Sequence, residues 1–169
     1  PRWRRTGALL SATASFLATL LVAALPSANA ASSDTNTPQL IQSLGGPFAA
    51  IEGVQAEAQS VLNSILADNA LQSANIAVVV VNNATANAWT AGNFGNGTIV
   101  LYRGLLALLT NRGQLEAAIA HELAHLQRQD RGGHRRLIIE RRADELASIW
   151  LGNSCGLKDL FAALSSASD

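Results

Sequence analysis

Between residues 48 and 66, apolar side chains fall at Ile51, Val54, Ala58, Val61, Leu62, Ile65 and Leu66. Steps of three and four place them on one face of a helix, so the spacing predicts an amphipathic helix lying on a core. Residues 76–81 are rich in β-branched side chains and read as a buried strand, which Asn82-Asn83 breaks. Residues 86–90 and 98–102 read as two further strands, joined by the glycine-rich stretch 92–97. A short helix is expected over 104–109, closed by Thr110-Asn111-Arg112-Gly113. Two longer helical stretches follow, one from Gln114 to Arg128 and one from about Arg136 to Leu151, with a last helix over 157–164. Gly132-Gly133 supplies a tight turn between the two long helices and makes them antiparallel neighbours. Residues 31–47 are polar and carry Gly and Pro, and read as a flexible arm. No internal repeat is visible. The sum is an α+β fold, a small β-sheet packed on helices.

The first long helix carries His121-Glu122-Leu123-Ala124-His125, an H-E-x-x-H pattern. Positions i and i+4 of a helix stand one above the other, so both imidazoles can reach one metal ion. Glu122 is rotated about 100° from His121, which is within reach of a water on that metal. Two of the three histidines of the chain fall in this pattern, which argues against a solvated helix face with a chance match. The second long helix carries Glu140-Arg141-Arg142-Ala143-Asp144. In an antiparallel pair Glu140 can approach both histidines as a third ligand. Asp144, one turn on, can accept a hydrogen bond from the second ring nitrogen of a ligating histidine and fix its tautomer. Three protein ligands leave a fourth position open, as a catalytic zinc site requires. Ala117, Ala118, Ala120 and Ala124 would let this helix pack closely, or simply reflect helix propensity.

These blocks occur in order along the chain, and together they resemble the zinc metallopeptidases of the CAAX prenyl endopeptidase and HtpX family, which are gluzincins. Asn87-Ala88-Trp89 is similar to the family's Asn-Ala-aromatic segment, and residues 97–106 to its glycine, short strand and x-G-L-L block. Residues 114–125 resemble its metal helix, and residues 140–144 its E-x-x-A-D block. The resemblance covers about residues 76–150. It implies one Zn2+ held by His121, His125 and Glu140, with Glu122 as general base and Asp144 behind the ligands. It also implies that an extended peptide pairs with the strand holding Asn87, Ala88 and Trp89. Trp89 lines a pocket in that reading, or is an ordinary core aromatic. For an oxyanion stabiliser the choice stays open among His134, Tyr102, Arg103 and Arg135; His134 is otherwise a polar residue of the Gly133 turn. Two departures stand out. Only residues 126–139 separate His125 from Glu140, a much shorter interval than in most of the family, and Asp130 stands where the family often has a histidine. The short interval removes wall from a substrate cleft. It motivates a second reading, a zinc-binding chaperone or interaction module of the same fold with catalysis weak or lost. It also leaves room for a protein partner that completes the cleft.

The first thirty residues change the picture of location. Pro1-Arg2-Trp3-Arg4-Arg5, an apolar run over 7–25 and an A-x-A ending at Ala30 have the form of a secretory signal peptide. An exported protein, periplasmic or secreted, is the expectation; the alternative is an uncleaved membrane anchor, since the run approaches a membrane span in length. The division expected is therefore a signal peptide over 1–30, a flexible arm over 31–47 and a minimal gluzincin peptidase domain over 48–169. The whole chain is formally neutral, with twelve basic and twelve acidic residues. Loss of Arg2, Arg4 and Arg5 leaves nine basic against twelve acidic, a charge of −3 with no basic field for nucleic acid. Arg128, Arg131, Arg135, Arg136, Arg141 and Arg142 form the one local exception, read as solvated helix faces or as an attractor of acidic substrate. Cys155 is the only cysteine and can form no internal disulfide. It is expected as a small buried hydrophobe near a helix end. The substrate class that fits these readings is a peptide or unfolded protein.

Overall fold

The computed structural model describes residues 37–48, 53–71, 74–129 and 136–166. Their elements run α1 (Thr37–Ser43), α2 (Val54–Asp68), β1 (Asn75–Val81), β2 (Ala88–Asn93), β3 (Asn96–Tyr102), α3 (Arg103–Leu108), α4 (Arg112–Arg128), α5 (Arg136–Trp150) and α6 (Cys155–Ser166). The fold is α+β, as the pattern predicts. The sheet has the order β1-β3-β2, with β1 parallel and β2 antiparallel to β3. Residues 1–30, read as a signal peptide, and the Gly132-Gly133 turn lie outside the described residues. No helix among the described residues is long and apolar enough to cross a membrane.

Strand alternation sorts the sheet into two faces. Ile76, Val78, Val80, Ile99, Leu101 and Ala88 join Val61, Leu62 and Ile65 of α2 and Ile119 and Leu123 of α4 in the main core. Burying large aliphatic side chains of this kind contributes about 1.5–3 kcal/mol each before conformational entropy is charged. The other face carries Val79, Val81, Val100, Tyr102 and Trp89, against which Ile41 and Leu44 pack. These last two residues explain a difference from the sequence reading. Part of the segment read as a flexible arm is built into the fold, because Ile41 on α1 and the adjoining Leu44 cover apolar sheet surface, and Pro47 bridges to Val81.

The two sheet edges are treated differently. On β1 the outward backbone groups are taken by side-chain amides of α2. Gln59 Oε1 accepts from Val78 N at 2.8 Å, Gln55 Oε1 accepts from Val80 N at 2.9 Å, and Gln59 Nε2 donates to Ile76 O at 3.3 Å. Gln55 Nε2 also donates to Val78 O, and Phe48 N donates to Val80 O at 2.8 Å. Residues 55 and 59 lie one helical turn apart and so match alternate residues of a strand. Strand β2 has a neighbour on one side only. The main chains of Tyr102 and Asn87 pair at 3.0 Å, so alternation turns the backbone groups of Ala88, Thr90 and Gly92 away from β3. This is the open edge of the sheet. The β2–β3 connection is tighter than the loop read over 92–97. Asn93 Oδ1 accepts from Gly95 N at 2.9 Å and from Asn96 N at 3.0 Å, so the strands run up to a two-residue turn.

Helix α4 begins at Arg112, inside the segment read as a terminator. Asn111 caps it by accepting from Gln114 N at 3.0 Å, and Gln114 Oε1 reaches back to Thr110 N at 2.6 Å. Its alanines at 117, 118, 120 and 124 are all buried. Helix α6 seats against its first turns at Gly156, where an added methyl would lie 2.5 Å from Gly113 O and 3.3 Å from Ala117 Cβ. Cys155 is exposed, against the expectation of a buried hydrophobe. It opens α6 at a turn, and Leu157 and Leu160 take the buried positions instead.

Gly104, at the start of α3, sets a local limit. An added Cβ would stand 2.0 Å from Ala84 O and 2.4 Å from Thr85 O, both backbone atoms. Gly104→Ala is expected to cost about 1–3 kcal/mol of overpacking, read from the shift in urea unfolding. A midpoint equal to that of the parent would contradict this packing.

Candidate metal centre

Helix α4 holds His121, Glu122 and His125, and α5 holds Glu140 and Asp144. As the α4 numbers rise from 121 to 125, their α5 partners fall from 144 to 140, so the helices are antiparallel. The close approach is made with small residues, since α5 buries only Ala143 and Ala147.

Three ligand atoms converge between the helices. His121 Nε2 lies 3.1 Å from His125 Nε2 and 3.2 Å from Glu140 Oε2, and His125 Nε2 lies 3.5 Å from that same oxygen. A tetrahedral zinc ion with bonds of about 2.0–2.1 Å requires its ligand atoms to be about 3.3 Å apart. The observed triangle has edges of that size, and the two imidazoles and one carboxylate are the donors such an ion takes. His121, His125 and Glu140 therefore lie close enough to hold a metal ion. On the far side of His121, Nδ1 stands 2.8 Å from Asp144 Oδ1. A hydrogen bond from Nδ1–H to that carboxylate leaves the lone pair of Nε2 pointing at the other two ligands. The histidines are mostly buried, while about half of the Glu140 side chain is exposed, so the centre opens to solvent on the α5 side.

Glu122 is 7 % exposed and sits beside this triangle. Burial pushes its carboxyl above the usual range, partly offset by His121 and His125. Glu140 is held well below the usual range by its hydrogen bonds to His121 and His125. Burial alone would lower the His121 imidazole, but the carboxylates of Asp144 and Glu140 at its two nitrogens outweigh that and raise it to about 10.

The three residues expected on a substrate strand part company. Asn87 is buried, at 9 % exposure, and its Oδ1 has no hydrogen-bond partner. It lines a small cavity with Ala88, His121 and Glu122. Trp89 packs instead with Val81, Val100 and Tyr102 on the opposite face of the sheet. Within β2 successive side chains alternate, so Ala88 and Trp89 face opposite sides and Ala88 takes that of the metal helix; Asn87 precedes the strand. Of the residues named as oxyanion stabilisers, Tyr102 is buried on the same opposite face as Trp89, and Arg103 Nε donates to Asn82 Oδ1 at 2.8 Å. His134 and Arg135 lie outside the described residues. The sequence reading missed the wall that α6 adds here, through Leu160, Phe161 and Leu164. Its helical spacing was the available signal, but nothing in that spacing says which neighbour the apolar face meets.

Two outcomes follow from this geometry. Asp144→Asn is expected to weaken zinc binding by about 10–100-fold, measured by competition with a chromogenic chelator; unchanged affinity would contradict the orienting role. The second concerns protons. The raised His121 value means that its protonated form stabilises the metal-free fold in full below the ordinary imidazole value, and that this contribution is lost as pH rises through about 10. A metal must displace that proton, so zinc affinity should fall as pH falls. Calorimetry at pH 7 in buffers of different ionisation heat should register release of about one proton or more per zinc; no release would contradict it.

A family model described as Peptidase family M48 matches residues 52–164, about two thirds of the chain, and spans all five residues of the centre. A search of curated proteins finds no match. The match and the convergence of His121, His125 and Glu140 agree on one conclusion: the chain belongs to Peptidase family M48.

Proposed function

We propose that this protein is a zinc-dependent metalloendopeptidase that hydrolyses bonds in peptides or unfolded proteins, with His121, His125 and Glu140 as zinc ligands. The observation that carries the reading is Glu122, a buried carboxylate beside a three-ligand set. A purely structural zinc site closes with four protein ligands and has no use for such a group. A zinc ion held there supplies Lewis acidity to a water molecule and to the scissile carbonyl.

The remaining work falls to the chain itself. Glu122 takes a proton from the attacking water and passes it to the leaving amine. Its raised affinity for a proton, which burial gives it, suits a group that must both accept and return one. Asp144 keeps His121 in one tautomer and orientation. The open edge of β2 receives an extended peptide through the outward backbone groups of Ala88 and Thr90. Gln55 and Gln59 close the β1 edge, so among the described residues β2 offers the open edge of this sheet. Asn87 Oδ1 accepts an N–H of the bound chain. Trp89 supports the strand from behind. The apolar run over 7–25 suits an exported protein, whether the leader is cleaved or kept as an anchor.

Glu122→Gln keeps the shape of the side chain and removes the base. It is expected to bind zinc as the parent does and to lose at least about a hundredfold of the cleavage rate on unfolded casein. Zinc content and gel-based cleavage, measured side by side, check this. Cleavage by the variant at the parent's rate would overturn the mechanism.

A further inference from the structure

Beside Glu122 lies a cavity of about 30 Å³, walled by Asn87, Ala88, Ala118, Leu160, Phe161 and Leu164. It touches His121 and Glu122 but neither His125 nor Glu140. It therefore lies on the general base's side of the centre. The chemistry says which part of a substrate belongs there. Glu122 hands its proton to the leaving nitrogen, so that nitrogen stands within hydrogen-bond reach of Glu122. The side chain of the residue that contributes the nitrogen is attached one atom away, and this cavity adjoins it. The unpartnered Oδ1 of Asn87 is an independent sign that a ligand is received here. Asn87 is one of the residues that line the cavity, its Oδ1 is buried without a partner, and leaving such an acceptor unsatisfied costs about 1–3 kcal/mol. A peptide N–H entering beside it supplies the missing donor.

Size then fixes selectivity. A space of this size is of the order of one or two waters, so a methyl or hydroxymethyl group fills it as it stands, and a branched or aromatic side chain needs the walls to move. Two of its walls, Phe161 and Leu164, are half-buried residues on α6, three positions apart, and so stand on one helix face. We infer that Phe161 and Leu164 set the size of the subsite for the residue on the leaving-amine side, restricting cleavage to bonds that precede glycine, alanine or serine. This inference rests on the peptidase reading above and adds substrate selectivity to it. Asn87 anchors the main chain, Ala118 forms the floor on α4, and α6 is the lid that limits side-chain length.

The test uses succinyl hydroxamates, whose chelating end seats on the metal and whose carbon next to the amide carbonyl carries hydrogen, methyl, isobutyl or benzyl. Binding to the zinc-loaded protein is read by calorimetry, which needs no turnover. The methyl compound should bind more tightly than the isobutyl and benzyl compounds by at least about tenfold, a discrimination that a single methylene can already carry in a fitted pocket. Phe161→Ala should reverse the order by admitting benzyl. Phe161→Leu, which keeps an apolar helix face, should shift it part of the way and covers the case in which the alanine variant does not fold. Benzyl binding to the parent as tightly as methyl, or an order unchanged in the folded variants, would overturn the subsite while leaving the peptidase reading intact. Failure of every hydroxamate to bind zinc-loaded protein would overturn both.

Discussion

The structure depends on how closely α4 and α5 approach each other. Two helices can share a metal site only if their axes come near enough for short side chains to meet. Here α5 buries nothing larger than Ala143 and Ala147. With larger residues in those places the helices would stand off, and Glu140 Oε2 would not lie within 3.5 Å of both imidazoles. The approach has an electrostatic cost, since three carboxylates and two imidazoles crowd one partly buried space. The hydrogen bond from His121 to Asp144 and the ion pairs to Glu140 offset part of it. That arrangement holds the ligands in place before any metal arrives.

The sheet serves this pair rather than forming a separate layer of its own. Its inner face packs in one core with α2 and α4 through Val78, Ile99 and Leu101. Its order puts β2 at an edge beside the metal helix. The glutamines of α2 close the other edge, where an exposed row of backbone groups would otherwise invite a second chain. One edge blocked and one left open is the arrangement on which the proposed pairing of a peptide with β2 rests. Helix α6 then closes the end of the cavity near Glu122, seated by the contact of Gly156 with Gly113.

The metal centre was largely legible in the sequence, because its information is local. His121 and His125 are one turn apart, Glu140 and Asp144 are one turn apart, and a helix of either sequence puts each pair on one face whatever else the chain does. The order of strands and helices was legible for a similar reason, since β-branched runs and three-four spacing persist over enough residues to be read. What could not be read is which surface meets which. Period two says that Ala88 and Trp89 face opposite sides of β2, yet only the packed structure says that Ala88 faces the metal helix. The same holds for Phe161 and Leu164, whose spacing gives a face but no neighbour. Gln55 and Gln59 read as solvated positions on α2 until β1 is placed beside them. Ile41 and Leu44 are too few to announce a helix in a polar segment, yet they pack against Val81 and Val100. Cys155 was expected inside on residue type alone, and a helix start at the surface overrode that preference.

The central claim is that two imidazoles from α4 and one carboxylate from α5 hold a single metal ion. A crystal structure of the zinc-loaded protein, with anomalous scattering recorded on both sides of the zinc edge, tests it most directly. One strong anomalous peak per chain is expected, bounded by His121 Nε2, His125 Nε2 and Glu140, with a fourth position held by solvent. A peak at Cys155 or elsewhere, or a peak whose ligands leave out Glu140, would contradict it.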